Sequence, residues 1–248
     1  MTKADDYRMK LCALADWDSF LLQESGLPGP RGNIELAQVV ADEGTPQLFQ
    51  RYIAYSVDVA PVNSAYEFLA FCGIIGIGRL LAEGDTDNLN TLRRFASDPR
   101  WRIREGVAMA LQRLGDVNMG RLIAAMGEWG QGTPLEQRAA AAALCEPRLL
   151  GQNQYAREVL GILDKITAGI EQADYRRSEE FLTLRQGLGY CWSVAVVSLP
   201  VEGKALMEKW LVNSDRDVRW IMRENLKKAR LVRMDAEWVK KMRDRIEG

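Results

Sequence analysis

Ser97-Asp98-Pro99-Arg100-Trp101-Arg102-Ile103-Arg104-Glu105-Gly106-Val107-Ala108-Met109-Ala110-Leu111 is the stretch that decides the fold. Its apolar residues at 103, 107, 110 and 111 share one face of an α-helix. Asp98-Pro99 sets a capping oxygen ahead of a proline at the expected first helical position, as do Thr45-Pro46 and Thr133-Pro134. The pattern is an apolar residue, Arg, two variable positions, apolar, two variable, small, apolar. It returns as Gln137-Arg138 with Ala141 and Leu144-Cys145, then as Leu184-Arg185 with Leu188 and Cys191-Trp192, then as Val218-Arg219 with Met222 and Asn225-Leu226. The template arginines stand 34, 47 and 34 residues apart. A degenerate copy lies upstream at Tyr66-Glu67, with Glu in place of Arg.

Each clean copy follows another amphipathic segment: Leu89/Leu92/Phe95, Leu122/Ile123/Met126, Leu160/Leu163/Ile166 and Leu206/Trp210. The repeating unit is therefore a two-helix hairpin, which cannot bury its own apolar stripe and must stack on its neighbours. The long interval predicts a longer first helix or turn between Asn153 and Glu180. These signals predict an all-α chain of about twelve helices. It is expected to form one domain over 1–248, with an N-terminal cap and loop at 1–45, repeats over 46–232 and a C-terminal cap at 233–248.

The run from Ser97 to Leu111 resembles the second half of a HEAT repeat, and Asn213 to Leu226 is a further match. The resemblance implies an α-α superhelix of stacked hairpins, an armadillo-like α-solenoid. In that family a turn Asp or Asn and a second-helix Arg form a hydrogen-bonded ladder between repeats. Carried over, it pairs Asp98 with Arg104 and Asn213 or Asp215 with Arg219, and gives Arg138 and Arg185 the same structural role. Trp101 with Glu105, and Trp220 with Glu224, place an aromatic and a carboxylate one helical turn apart. This is similar to the Trp and acidic pair of the HEAT-like alkylpurine DNA glycosylases, which use Asp where this chain has Glu.

Composition narrows the chemistry. The 248 residues include no histidine, which removes Ser-His-Asp and Cys-His nucleophiles, HExxH zinc sites and imidazole bases. Cys12, Cys72, Cys145 and Cys191 lack CxxC spacing and lie among apolar residues, so they are expected as buried free thiols in a reducing, cytoplasmic setting. No metal and no cofactor are expected. The opening MTKADDYR is acidic where a secretory leader is cationic, and the longest uncharged stretch, Gln186–Val201, is too short to span a membrane. No membrane association is expected.

Gly73-Ile-Ile-Gly-Ile-Gly78 has Gly-x-Gly spacing without a preceding strand, so close helix packing is expected rather than a dinucleotide loop. Ser25 to Asn33 holds two prolines and three glycines, which forbid a helix. Within it, Leu27-Pro-Gly-Pro-Arg31 reads equally as a recognition loop or a rigid turn.

Charge is uneven. Net charge is −1 overall, yet residues 1–90 carry 6 basic and 13 acidic side chains and residues 200–248 carry 13 and 9. On a helix beginning near Asp215, Arg216, Trp220, Arg223, Lys227 and Arg230 share one face, a candidate surface for an anionic partner. A second candidate surface is Trp101, Arg102 and Glu105 on the central repeats. The expected function is a non-catalytic scaffold that binds a protein partner, acidic or phosphorylated, on its concave or basic C-terminal face. The alternative is a nucleic-acid-binding or DNA-repair module, which the near-zero net charge disfavours.

Overall fold

The computed structural model describes residues 2–247, the last of them in backbone only. Helix occupies 75% of the chain, and no strand occurs among the described residues. By contact the chain divides into two compact units, Met1–Val117 and Asn118–Gly248.

The first unit contains α1 (Lys3–Cys12), α2 (Asp18–Glu24), α3 (Ile34–Glu43), α4 (Pro46–Ile53), α5 (Ala65–Ala82), α6 (Asn88–Phe95) and α7 (Trp101–Val117). The second contains α8 (Met119–Trp129), α9 (Pro134–Leu144), a 3-10 turn (Pro147–Leu150), α10 (Asn153–Glu171), α11 (Glu179–Ser198), α12 (Pro200–Leu211), α13 (Arg216–Leu226), α14 (Ala229–Met234) and α15 (Ala236–Glu247). Among the described residues there are fifteen α-helices, against the expected twelve or so. Three of them, α1 to α3, build most of the segment read as a cap and loop. One arises because the expected helix from Asp215 to Arg230 is two helices.

The template copies fall on α5, α7, α9, α11 and α13, and their amphipathic partners on α6, α8, α10 and α12. The long interval is taken up by α10, 19 residues long, and the turn after it. Cap chemistry explains the boundaries. Thr45 accepts from the Leu48 amide, and Thr133 and Glu136 exchange backbone bonds in a capping box. Asp98 departs from expectation. Helix α7 begins at Trp101, and the Asp98 carboxylate takes the Arg100 amide at 2.8 Å inside the turn.

In the first unit α5 is the core, packed against α2, α3, α4, α6 and α7. It has the length and apolar content of a membrane span, but 72% of it is buried inside the protein. Its glycines permit the close approach. A Cβ on Gly76 would lie 2.3 Å from the Phe49 ring, and one on Gly78 would lie 2.4 Å from the Ala110 Cα. Side chains there would drive α4 and α7 off the core.

In the second unit α11 packs on α9, α10, α12, α13 and α14. Its Trp192 is fully buried and donates to Thr167 Oγ1 at 3.0 Å. Asn225, at the small position of the last template copy, is also fully buried. It accepts from the Ser193 amide at 2.8 Å and donates to the Leu188 carbonyl at 2.8 Å, pinning α13 to the α11 backbone.

One polar bridge occurs twice in the same register with its charges exchanged. Glu67 on α5 pairs with Arg102 on α7 at 3.1 Å, and Arg185 on α11 pairs with Asp217 on α13 at 2.6 Å. Glu67 and Arg185 hold the template arginine position. Arg102 and Asp217 immediately precede the first apolar residue of the next copy.

Candidate functional site

The loop before α3 folds back against the start of α7. Its ends meet where the Asn33 amide donates to the Ser25 carbonyl at 2.8 Å, and the Asn33 side chain then caps α3 at Leu36. The loop is tied down from the opposite side. Arg102 donates to the Gly29 carbonyl at 2.6 Å, to Asn63 Oδ1 at 3.2 Å and to Glu67 Oε2 at 3.1 Å. Asn63, in the left-handed region at φ 64°, also accepts from the Gly29 amide at 3.0 Å and donates its own amide to Glu67 at 2.7 Å.

This network is buried: the Glu67 side chain is 0% exposed and that of Arg102 is 8% exposed. The Arg102 guanidinium carries the order outward, lying 4.5 Å from the centroid of the Trp101 ring. Trp101 is 46% exposed, as is Ile34 at 49%. Between them opens a pocket of about 340 Å³, floored by Leu27, Phe68 and Phe71, with Met109 beside it and Arg31 and Glu105 at the polar edge. The structure therefore brings together the predicted Trp101, Arg102 and Glu105, and adds the Leu27–Arg31 loop as a wall. Arg102 lines this pocket and at the same time braces it from below, through its bonds to Gly29, Asn63 and Glu67. Asn63 was missed, since nothing in its local sequence links it to Gly29.

The predicted basic face comes apart. Helix α13 ends at Leu226, whose carbonyl accepts from Arg243 at 2.6 Å, and α14 starts at Ala229. Arg230 turns onto Tyr190, stacking at 4.6 Å and bonding its hydroxyl. Arg216 is exposed beside Asp217 at 3.5 Å, and Lys227 is paired with Glu224. Trp220 lies under Arg185 at 4.4 Å, seated where Gly189 has no side chain. Only Trp220, Arg223 and Lys227 of the five predicted residues line a common cleft, of about 750 Å³, together with Arg219, Glu224, Arg243 and Ile246.

The expected ladder is also redrawn. Arg104 donates to the Asp98 and Pro99 carbonyls at 2.7 and 3.0 Å, within its own turn. The Asp98 carboxylate instead grips Arg100, at 2.9 and 2.8 Å, and Arg100 reaches back to the carbonyls of Tyr55 and Ala60. Arg100 thus ties this turn back to the segment before α5. Asp215 caps α13 and pairs with Arg176 at 2.7 Å, while Asn213 accepts the Asp215 amide and donates to Glu171. Arg219 points to the Ile246 carbonyl. Arg185 does bridge hairpins, but to Asp217, and Arg138 packs its side chain beside Gly187.

Cys72, Cys145 and Cys191 are buried free thiols, whereas Cys12 is exposed, contrary to expectation, because the last turn of α1 presents it to solvent. Among the described residues no three His, Cys, Asp or Glu side chains are grouped as metal ligands would be.

No family model matches the chain, and no curated protein is similar to it. A solved structure of an engineered protein is similar with a TM-score of 0.39 at 13% identity, covering 95% of this chain and 100% of its own. That is below the level from which a shared fold or function follows.

Proposed function

We propose that the protein is a non-catalytic scaffold of HEAT-like hairpins that binds a partner protein, seating an apolar side chain of the partner in the Trp101 pocket. The observation that carries this reading is the buried Glu67–Arg102–Asn63 network, which holds an exposed indole beside an apolar pocket. Ordering a large aromatic before association lowers the entropy lost on binding. Aromatic anchors beside apolar pockets are where interface energy concentrates. Arg31 and Glu105 supply a polar rim that fixes orientation. Three buried free thiols fit the reducing, cytoplasmic setting that belongs to the same proposal.

The test is selection of peptides from a displayed library on the wild-type protein. The expected product is a motif with one bulky apolar residue whose affinity falls at least tenfold for Trp101→Ala. Peptides that bind Trp101→Ala as well as wild type refute the pocket.

A second reading has one observation in its favour: Trp101 and Glu105 line the same pocket, the arrangement a flipped alkylated base would need. It predicts release of alkylated bases from DNA, abolished in Glu105→Gln. Absence of release by the wild-type protein excludes it.

A further inference from the structure

The cleft bounded by α13 and α15 collects positive charge that its described lining does not neutralise. Arg219 and Arg223, one turn apart on α13, both send Nη2 to the carbonyl oxygen of Ile246, at 3.5 and 3.2 Å. Two guanidinium groups converging on one oxygen are near enough for a single multi-oxygen anion to take both. Arg243, from α15, donates to the Leu226 carbonyl at 2.6 Å and lines the same cleft. Among the described residues none of these three arginines has a carboxylate partner. Glu224, the acidic side chain in the lining, is occupied by Lys227. Each guanidinium has five N–H donors, so one bond to a carbonyl leaves most of its donors for a ligand.

We infer that this cleft binds a phosphate dianion, presented as a phosphorylated side chain of a partner protein. Three forked cations that have no carboxylate partner among the described residues match three terminal phosphate oxygens better than the two oxygens of a carboxylate. Trp220 and Ile246 supply apolar surface beside the cations for the residue that carries the phosphate. Nucleic acid would require a track of cations along its backbone. Here the track is interrupted: the helix stops at Leu226, Arg230 is held by Tyr190, and Arg216 lies against Asp217. What remains is one compact cluster, suited to one phosphate. The inference is independent of the Trp101 pocket, which lies in the other unit.

The experiment is calorimetric titration of the full chain with inorganic phosphate, phenyl phosphate and acetate at matched ionic strength. Parallel arms use a degenerate phosphoserine peptide library, its unphosphorylated twin and a short DNA duplex. The phosphate probes should bind saturably and acetate should not. The phosphopeptides should be retained over their unphosphorylated twins and over the duplex. Arg219→Gln and Arg223→Gln should each weaken phosphate binding at least tenfold, while Trp101→Ala leaves it unchanged. Arg223→Lys, which keeps the charge and loses the fork, should fold like wild type and still bind several-fold more weakly. Equal binding of acetate, or unaltered binding by the Arg219 and Arg223 variants, overturns the site. Preference for the duplex, or equal retention of the two peptide libraries, overturns the partner.

Discussion

Replacing Arg102 with alanine should be among the most damaging single changes in the first unit. The substitution removes donors from the Gly29 carbonyl, Asn63 Oδ1 and Glu67 Oε2 at once. It leaves the Glu67 carboxylate fully buried with the Asn63 amide, at 2.7 Å, as its described donor. Removing one partner of a buried ion pair typically costs about 3–5 kcal/mol, because the other charge is stranded away from water. That is a large share of the ~5–15 kcal/mol that holds most domains folded. With a urea dependence of ~2–3 kcal/mol per molar, the midpoint followed by far-ultraviolet circular dichroism should fall by roughly 1–2 M. The double variant Glu67→Met/Arg102→Met removes both charges and fills the space, so it should recover most of the loss. Its loop would keep the Gly29 amide bond to Asn63 but lose the Arg102 bond to the Gly29 carbonyl, so affinity for pocket-binding peptides should stay below wild type although stability returns. A loss under about 1 kcal/mol in Arg102→Ala, or single losses that simply add in the double variant, would refute a buried and coupled network.

Gly78→Ala gains helix propensity of about 1 kcal/mol but forces a methyl against the Ala110 backbone, so a net loss is expected, within the ~1–3 kcal/mol range of overpacking; a thermal melt above wild type would contradict it. Burial raises the pKa of Asp215 and Asp217, but Arg176 against Asp215, and Arg185 and Arg176 against Asp217, outweigh it, so both carboxylates titrate below their ordinary 3.8. Groups with depressed folded values contribute stability that is complete above the unfolded value and is lost as pH falls through the folded one, so the melting temperature should drop below about pH 4. Asp217→Asn should flatten that acid limb, and an unchanged limb would remove the bridge from the account. A thiol reagent near neutral pH should modify Cys12 in the native protein and reach the other three only after unfolding. Burial pushes the Cys72 thiol up, and burial with the adjacent Cys191 thiol does the same to Cys145. Modification of Cys72 or Cys145 at the rate of Cys12 would show that the core opens.

The helices and their template register were legible because apolar spacing and caps are local properties. Thr45, Thr133 and the α5 glycines act through neighbours the pattern already implies. What escaped the sequence depends on distant partners. Nothing near Pro99 shows that the Asp98 carboxylate will close on Arg100 rather than Arg104, since that choice rests on carbonyls at Tyr55 and Ala60. No glycine or proline separates Leu226 from Ala229, and the apolar period runs on through the break. The helix stops there with its final carbonyl held by Arg243, seventeen residues away. For the same reason the basic face was read as a stripe, when its cations are in fact distributed among Tyr190, Glu224 and the Ile246 carbonyl. The Trp101 pocket was half visible: Trp101, Arg102 and Glu105 share a turn, but the loop that walls them in is fastened through Asn63, 34 residues beyond Gly29.

The exchanged polarity of the two bridges bears on how such a chain of helices could be rebuilt. If the hairpin bearing Glu67 were grafted ahead of the one bearing Asp217, two carboxylates would face each other in a buried slot. The reciprocal graft would oppose Arg185 with Arg102. The two carboxylates would repel most strongly, because Glu67 and Asp217 are the more buried members of their pairs, at 0% and 3% exposure. The hairpins are therefore keyed to their own successors, and duplication or recombination within the chain is restricted to exchanges that carry both halves of a key together. A consensus hairpin averaged over the copies would lose this addressing, and with it a barrier against a nascent chain folding one hairpin onto the wrong neighbour.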